Sequence, residues 1–263
     1  MQSNLKKWKY PSISYFDENN KKTIVMVHGF NGSCNGFLSI LEKIPNANYY
    51  CFTLPGCSST PATLEQMSVE YYAQLVVEFI NFHNLKNVIL IGHSMGGGII
   101  SLVYKLASKL ISKIVFISPM NRSARIKKDF FLKTYFPTNF EEYKIFIKSL
   151  YYDNSFVDTL AFEKYRETFN SKNFTNKYIL KLGYSLPQEP LFDLIESGIQ
   201  SITIPSLLIL GEFDTVIPTL PAKKYFTQHN STIQIKVINN VGHMVFEESP
   251  EEFLKILNTF IAQ

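Results

Sequence analysis

Val88-Ile89-Leu90-Ile91-Gly92-His93-Ser94-Met95-Gly96-Gly97-Gly98-Ile99-Ile100 is the stretch that decides the fold. An apolar run of strand length leads into a serine flanked by glycines, and a helical pattern begins directly after it. A residue at the tip of so sharp a turn is held in a strained backbone conformation that lifts its side chain clear of the sheet. Because a neighbouring Cβ would collide there, we interpret Gly92 and Gly96 as the residues that make room. The motif G-x-S-x-G is short and recurs by chance, so support for Ser94 as a nucleophile has to come from the rest of the chain.

Length and composition describe one globular unit. The chain has 263 residues, of which 46% are hydrophobic and 18% are charged, and its net charge is only +4. No basic run stands out, so nucleic acid is not a predicted partner. Three cysteines without a C-x-x-C pair argue against a disulfide framework or a thiolate zinc site. The histidines have no metal-binding spacing either, and we therefore expect neither a metal nor another cofactor.

Two features of the sequence bear on where the protein is located. Residues 1–9 contain lysines but no apolar stretch behind them, which is unlike a signal peptide. No apolar run reaches the length needed to span a membrane. We therefore expect a cytoplasmic protein without an integral membrane segment. The sequence leaves its oligomeric state open.

The order of the predicted elements defines the fold class. Strands are predicted at 23–27, 49–54, 88–91 and 113–118, and helices between them at 36–44, 68–82 (capped by Ser68) and 95–110. Alternating strands and helices imply parallel strands joined by crossover helices. After residue 200 two more strands, 204–210 and 233–238, precede a helix at 250–261. The prediction is an α/β fold with a doubly wound, mostly parallel sheet.

Only helical patterns occur between residues 120 and 200. We predict helices at 140–150, 155–169, 176–182 and 190–197, and no strand. The chain is therefore predicted to have a core made of residues 1–119 and 201–263, with residues 120–200 as a helical insertion. This insertion holds 17 of the 37 Phe and Tyr residues. They suit either its own small core or an apolar substrate channel, and the sequence does not decide between the two.

A serine, an aspartate and a histidine follow three separate strands. Ser94 ends the strand that precedes it, Asp214 follows the apolar run 206–210, and His243 follows the strand 233–238. A serine hydroxyl is a poor nucleophile until a base takes its proton, and the base needs an acid to orient it. The carboxyl ends of parallel strands meet at one sheet edge. We therefore predict that Ser94, His243 and Asp214 form a catalytic triad. Asp193 is an alternative acid, although it lies in a helical segment.

The oxyanion of an acyl-transfer reaction needs backbone donors. The N–H of Met95 lies at the start of the helix after Ser94, where free N–H groups and the helix dipole favour negative charge. The loop His28-Gly29-Phe30 follows the first long apolar strand, and the N–H of Phe30 is the predicted second donor.

These motifs resemble the α/β-hydrolase superfamily, specifically its serine esterase and lipase-like members with a helical cap. The matching segments are His28-Gly29-Phe30, Pro55-Gly56, Gly92-His93-Ser94-Met95-Gly96, Gly211-Glu212-Phe213-Asp214 and Gly242-His243. The resemblance implies that residues 120–200 form a cap over the active site and that Glu212 is one residue too early to be the acid. Related dehalogenases and epoxide hydrolases carry an aspartate where this chain has Ser94. The loop 53–58 departs from the usual pattern, which affects only the substrate assignment.

The predicted reaction is hydrolysis of a small, apolar carboxylic ester through an acyl-enzyme intermediate. An alternative is a peptidase or amidase of the proline-iminopeptidase type, in which Glu141, Glu142 or Glu163 would hold the substrate ammonium. Acyl transfer to an alcohol or thiol is another alternative. A catalytically silent binding protein is disfavoured, since such proteins often lack one triad residue.

Overall fold

The computed structural model describes residues 7–263, and its centre is a seven-stranded sheet. The first six residues of the segment considered for a signal peptide lie outside the described part. The sheet order is β1-β3-β2-β4-β5-β6-β7, and every pair is parallel except β1 with β3. The strands are β1 (Ser12–Tyr15), β2 (Lys22–Val27), β3 (Ala47–Phe52), β4 (Val88–His93), β5 (Ile111–Ile117), β6 (Ser206–Gly211) and β7 (Gln234–Ile238).

Helices connect the strands and fill the predicted insertion. Around the sheet lie α1 (Leu38–Leu41), α2 (Val69–Phe82), α3 (Met95–Ala107), α10 (Thr219–His229), α11 (Val245–Glu248) and α12 (Pro250–Ala262). Between β5 and β6 lie α4 (Lys128–Thr134), α5 (Phe140–Lys148), α6 (Leu160–Glu163), α7 (Lys172–Thr175), α8 (Lys177–Ser185) and α9 (Glu189–Gln200). Across residues 7–263, no helix is both long enough and apolar enough to cross a membrane.

The core lies on both faces of the sheet. Along β2, Ile24 and Met26 pack on the face covered by α12, while Val25 and Val27 pack on the face covered by α2 and α3. Side chains alternate across a strand, so a strand covered on both faces must be apolar at every position. Burying each such side chain stabilises the fold by about 1.5–3 kcal/mol. This burial explains the unbroken apolar runs in the sequence.

The predicted fold class is confirmed, with corrections in detail. The Ser68 side chain accepts a hydrogen bond from the Tyr71 N–H and caps α2 as predicted. The single helix predicted over 155–169 is wrong. Thr159 has extended backbone angles and caps α6 from outside, so the segment breaks into short 3-10 and α-helical turns. The helix after Ser94 is α-helical only to Ala107 and ends in a 3-10 turn.

Candidate active site

Ser94 occupies the turn between β4 and α3. Its backbone angles are φ 54° and ψ −121°, a left-handed conformation that is rare for any residue other than glycine. The turn is held by two backbone bonds, because the Ser94 N–H donates to the Ile117 carbonyl at 2.9 Å and its carbonyl accepts from the Met120 N–H at 2.8 Å. Ser94 is half-buried, whereas the residues on either side of it are buried. The strained turn therefore gives this side chain access to the cavities described below.

The two glycines of the motif are required by close backbone approaches. A Cβ on Gly92 would lie 2.4 Å from the Gly96 carbonyl oxygen, and a Cβ on Gly96 would lie 2.1 Å from the Val27 carbonyl oxygen. Both distances are far below any real contact, and the atoms that would have to move belong to the main chain. A side chain at either position would therefore collide with the main chain. Gly29 approaches from the other side, where its Cβ would lie 3.0 Å from Ser94 Cβ.

Asp214 and His243 form a buried hydrogen-bonded pair. His243 Nδ1 lies 2.8 Å from Asp214 Oδ2, and both side chains are buried. The other carboxylate oxygen accepts from the N–H groups of Val216 and Ile217, each at 2.8 Å. With both oxygens occupied, the carboxylate holds one orientation. The His243 N–H also donates to the Leu150 carbonyl at 2.8 Å, so the main chain on both sides of the pair is fixed.

The alternative acids lie elsewhere. Asp193 is exposed on α9 and forms an ion pair with Arg122. Glu212 is exposed and accepts from the Asn240 N–H at 3.1 Å. Neither contacts His243, so the geometry favours Asp214 as its partner.

His93 and His28 are buried, neutral histidines that hold loops of the site. His93 Nε2 donates to the His243 carbonyl at 3.1 Å, and burial lowers the pKa of His93 to about 3. His28 Nε2 accepts from the Leu54 N–H at 2.9 Å, while its Nδ1 donates to the Gly29 carbonyl at 2.8 Å. Burial lowers the pKa of His28 to about 4. Each contact fixes which ring nitrogen carries the proton. The two neutral side chains therefore hold the loops of the site in place through hydrogen bonds.

Both residues predicted as oxyanion donors line cavities that include Ser94. Met95 is the first residue of α3, so its N–H has no partner within the helix. Phe30 follows Gly29 in the loop after β2 and lines both cavities that include Ser94. Within residues 7–263 the Ser94 hydroxyl makes no hydrogen bond, although it lines a cavity together with His243. Ser94 and His243 therefore line the same cavity without a hydrogen bond between their side chains.

Two cavities meet at Ser94. We call the first the apolar cavity; besides Phe30, Ser94 and two lysines, its lining includes Met95, Met120, Ala124, Phe131, Tyr135, Leu186, Pro187, Phe192, Val216 and Ile217. We call the second the histidine cavity, because it includes His28, His93 and His243, with Asn31, Phe146, Met244 and Glu247 among its other residues. Tyr135 lines both. Ser94 therefore has an apolar space on one side and a more polar space containing His243 on the other.

The insertion between β5 and β6 uses its aromatic residues in two ways. Phe140 and Phe162 pack with Val157 in a small cluster of their own. Phe131, Tyr135 and Phe192 line the apolar cavity instead. The aromatic side chains of the insertion are therefore divided between a small core of its own and the wall of the apolar cavity.

The carboxylates considered for an aminopeptidase do not line either cavity. Glu141 and Glu163 pair with Arg166, and Glu142 accepts from the Thr138 N–H at 2.7 Å. The suggestion that they hold a substrate ammonium gains no support from these two cavities and stays a prediction. The carboxylate that lines the histidine cavity is Glu247, which accepts from the Tyr151 hydroxyl. The sequence analysis missed Glu247 and Tyr135, and no motif marks either residue. Among the described residues, no group of three His, Cys, Asp or Glu side chains is arranged to hold a metal.

Comparison with known proteins places this site in a family. The model of the alpha/beta hydrolase fold matches residues 22–250. "Putative esterase/lipase 2" of Mycoplasma pneumoniae is 27% identical over 258 residues, which cover 96% of this chain and 94% of that protein. The bromoperoxidase from Bacillus anthracis superposes with a TM-score of 0.81 at 16% identity, over 96% of this chain and 95% of that one. An esterase from Exiguobacterium antarcticum superposes with a TM-score of 0.79 at 19% identity, over 97% and 95% of the two chains. At these identities the two structures show a shared fold.

Proposed function

The chain belongs to the α/β-hydrolase family, and on that basis we propose that it is a serine hydrolase that cleaves carboxylic esters of apolar character. The observation that carries the proposal is the buried Asp214–His243 pair at the edge of a cavity that also contains the strained, half-buried Ser94. The relatives named esterase/lipase support the reaction class. In this proposal Ser94 is the nucleophile, His243 the base and Asp214 the orienting acid.

The steps follow from the geometry of these groups. Ser94 Oγ attacks the ester carbonyl carbon while His243 takes the hydroxyl proton at Nε2, the ring nitrogen not held by Asp214. The carboxylate of Asp214 stabilises the imidazolium that forms. The N–H groups of Met95 and Phe30 donate to the oxyanion, which gains negative charge as the tetrahedral intermediate forms. His243 then gives its proton to the leaving alcohol oxygen, and a water molecule hydrolyses the acyl-enzyme by the same route.

The two cavities divide the substrate between them. The leaving alcohol must receive its proton from His243, so it belongs in the histidine cavity. The acyl chain then occupies the apolar cavity, whose lining is dominated by Phe, Met, Leu and Val side chains. This arrangement supports an apolar acyl group as the preferred part of the substrate.

The experiment compares Ser94→Ala with the parent protein on p-nitrophenyl esters. Removing the nucleophile should lower kcat by at least about 10⁴-fold and abolish labelling by a fluorophosphonate probe. Ser231→Ala is the matched control, because Ser231 is exposed and lines neither cavity. Unchanged ester hydrolysis by Ser94→Ala contradicts the proposal. Faster cleavage of aminoacyl-naphthylamides than of acyl esters would assign the amidase alternative instead, and product formation only with an added alcohol or thiol would assign acyl transfer.

A further inference from the structure

Two lysines line the otherwise apolar cavity beside Ser94. Lys127 ends a 3-10 turn, Lys128 begins α4, and both are half-buried. Every other lining residue of this cavity is uncharged. A plain hydrocarbon chain gains nothing from two lysine residues in the wall of its cavity.

Neither lysine is neutralised by a protein carboxylate. In the part of the chain that the structure describes, no Asp or Glu oxygen lies within 4.0 Å of Lys127 or Lys128. The acidic residues nearby on α9 are engaged by arginines: Glu189, Asp193 and Glu196 all pair with Arg122, and Glu189 also pairs with Arg125. The Lys127 ammonium lies 5.7 Å from the centre of the Phe130 ring, a contact that leaves its positive charge unbalanced. Asp129, which lies between Lys128 and Phe130, is exposed and does not line the cavity.

The charged lining residue of the histidine cavity has the opposite sign of charge. Its one acidic lining residue is Glu247, and its lining includes no lysine or arginine. An anionic alcohol part would lie beside this carboxylate and be repelled, whereas an anionic group on the acyl part would reach the lysines. The charges of the two cavities therefore orient a charged ester in one direction only.

We propose that the enzyme prefers acyl groups that carry a carboxylate at the end remote from the ester, and that Lys127 and Lys128 bind that carboxylate. The proposal rests on the proposed ester hydrolysis and names its substrate class as monoesters of dicarboxylic acids. The hydrocarbon part of such an acyl chain packs on Met95, Phe131 and Phe192. The remote carboxylate replaces its lost water contacts with the two ammonium groups.

The test uses two esters that differ only in the remote group. p-Nitrophenyl octanoate and the mono-p-nitrophenyl ester of octanedioic acid have the same leaving group and the same number of acyl carbons. The measured quantity is the ratio of kcat/KM for the anionic ester to kcat/KM for the neutral ester. In Lys127→Gln/Lys128→Gln this ratio should fall by about tenfold, as expected for two half-buried charges. Added NaCl should lower the ratio of the parent and leave that of the variant nearly constant.

Lys133→Gln/Lys164→Gln is the control, because it removes the same charge from exposed positions of the insertion that line neither cavity. A ratio that falls equally in the control, or does not fall in Lys127→Gln/Lys128→Gln, overturns the inference. So does a lysine-dependent preference for 4-carboxyphenyl octanoate, in which the anion sits on the alcohol part. If the parent hydrolyses neither p-nitrophenyl ester, the proposed function itself fails, which is a separate result.

Discussion

The buried histidine beside Ser94 makes the stability of the protein depend on pH. His93 has a pKa of about 3 in the folded protein because burial disfavours its charged form, and the positive charge of a protonated His243 lowers it further. In the unfolded chain a histidine has a pKa of about 6.5. Between these values the unfolded chain binds a proton that the folded protein does not. The stabilisation is therefore complete above about pH 6.5 and is lost as the pH falls.

The magnitude follows from the two pKa values. Each pH unit in this range costs about 1.4 kcal/mol per histidine, so going from pH 7 to pH 5 removes about 2 kcal/mol for His93. His28 has a folded pKa of about 4, again through burial, and removes about 2 kcal/mol more. The parent protein should therefore lose about 4 kcal/mol of unfolding free energy between pH 7 and pH 5 through these two residues.

His93→Gln separates the contribution of His93. The glutamine amide keeps an N–H donor for the His243 carbonyl but does not titrate. The pH-dependent loss should shrink from about 4 to about 2 kcal/mol, as measured by urea unfolding followed by circular dichroism at pH 7, 6 and 5. Other titrating groups, such as Glu248 with its pKa raised by burial, contribute equally to both proteins and cancel in the comparison. A variant that loses as much free energy as the parent refutes the assignment of His93 as a buried neutral residue.

Two further substitutions test the acid and the turn. Asp214→Asn should lower kcat for p-nitrophenyl esters by about 10³–10⁴-fold, because the imidazolium loses its carboxylate partner. The control Asp193→Asn should leave kcat unchanged. The reverse result would make Asp193 the acid. Gly96→Ala should lower the free energy of unfolding by about 3 kcal/mol or more, measured by urea unfolding, because its Cβ would lie 2.1 Å from the Val27 carbonyl oxygen. Gly36→Ala is its control, since no atom lies within 4 Å of that Cβ, and equal effects of the two would argue against the packing described for the turn.

Local patterns in the sequence were enough to predict the sheet and the turn at Ser94. Short unbroken apolar runs between turn residues favour strands covered on both faces, and Gly92 and Gly96 lie where backbones approach closely. The chain order of Ser94, Asp214 and His243 placed all three at one sheet edge, because parallel strands share a direction. These inferences depend on the spacing of apolar residues, on steric limits and on chain order, all of which can be read along the sequence.

Tertiary structure alone decided what surrounds that edge. The 2.8 Å contact between His243 and Asp214 favours Asp214 over Asp193 as the partner of this histidine. No sequence motif marks Lys127 and Lys128, yet they line the cavity beside Ser94. Glu247 lines the histidine cavity, and no sequence motif indicates this position. Such placements depend on how short helices of the insertion and the loop after β7 pack over the sheet, and the side chains that fix this packing are far apart in the chain.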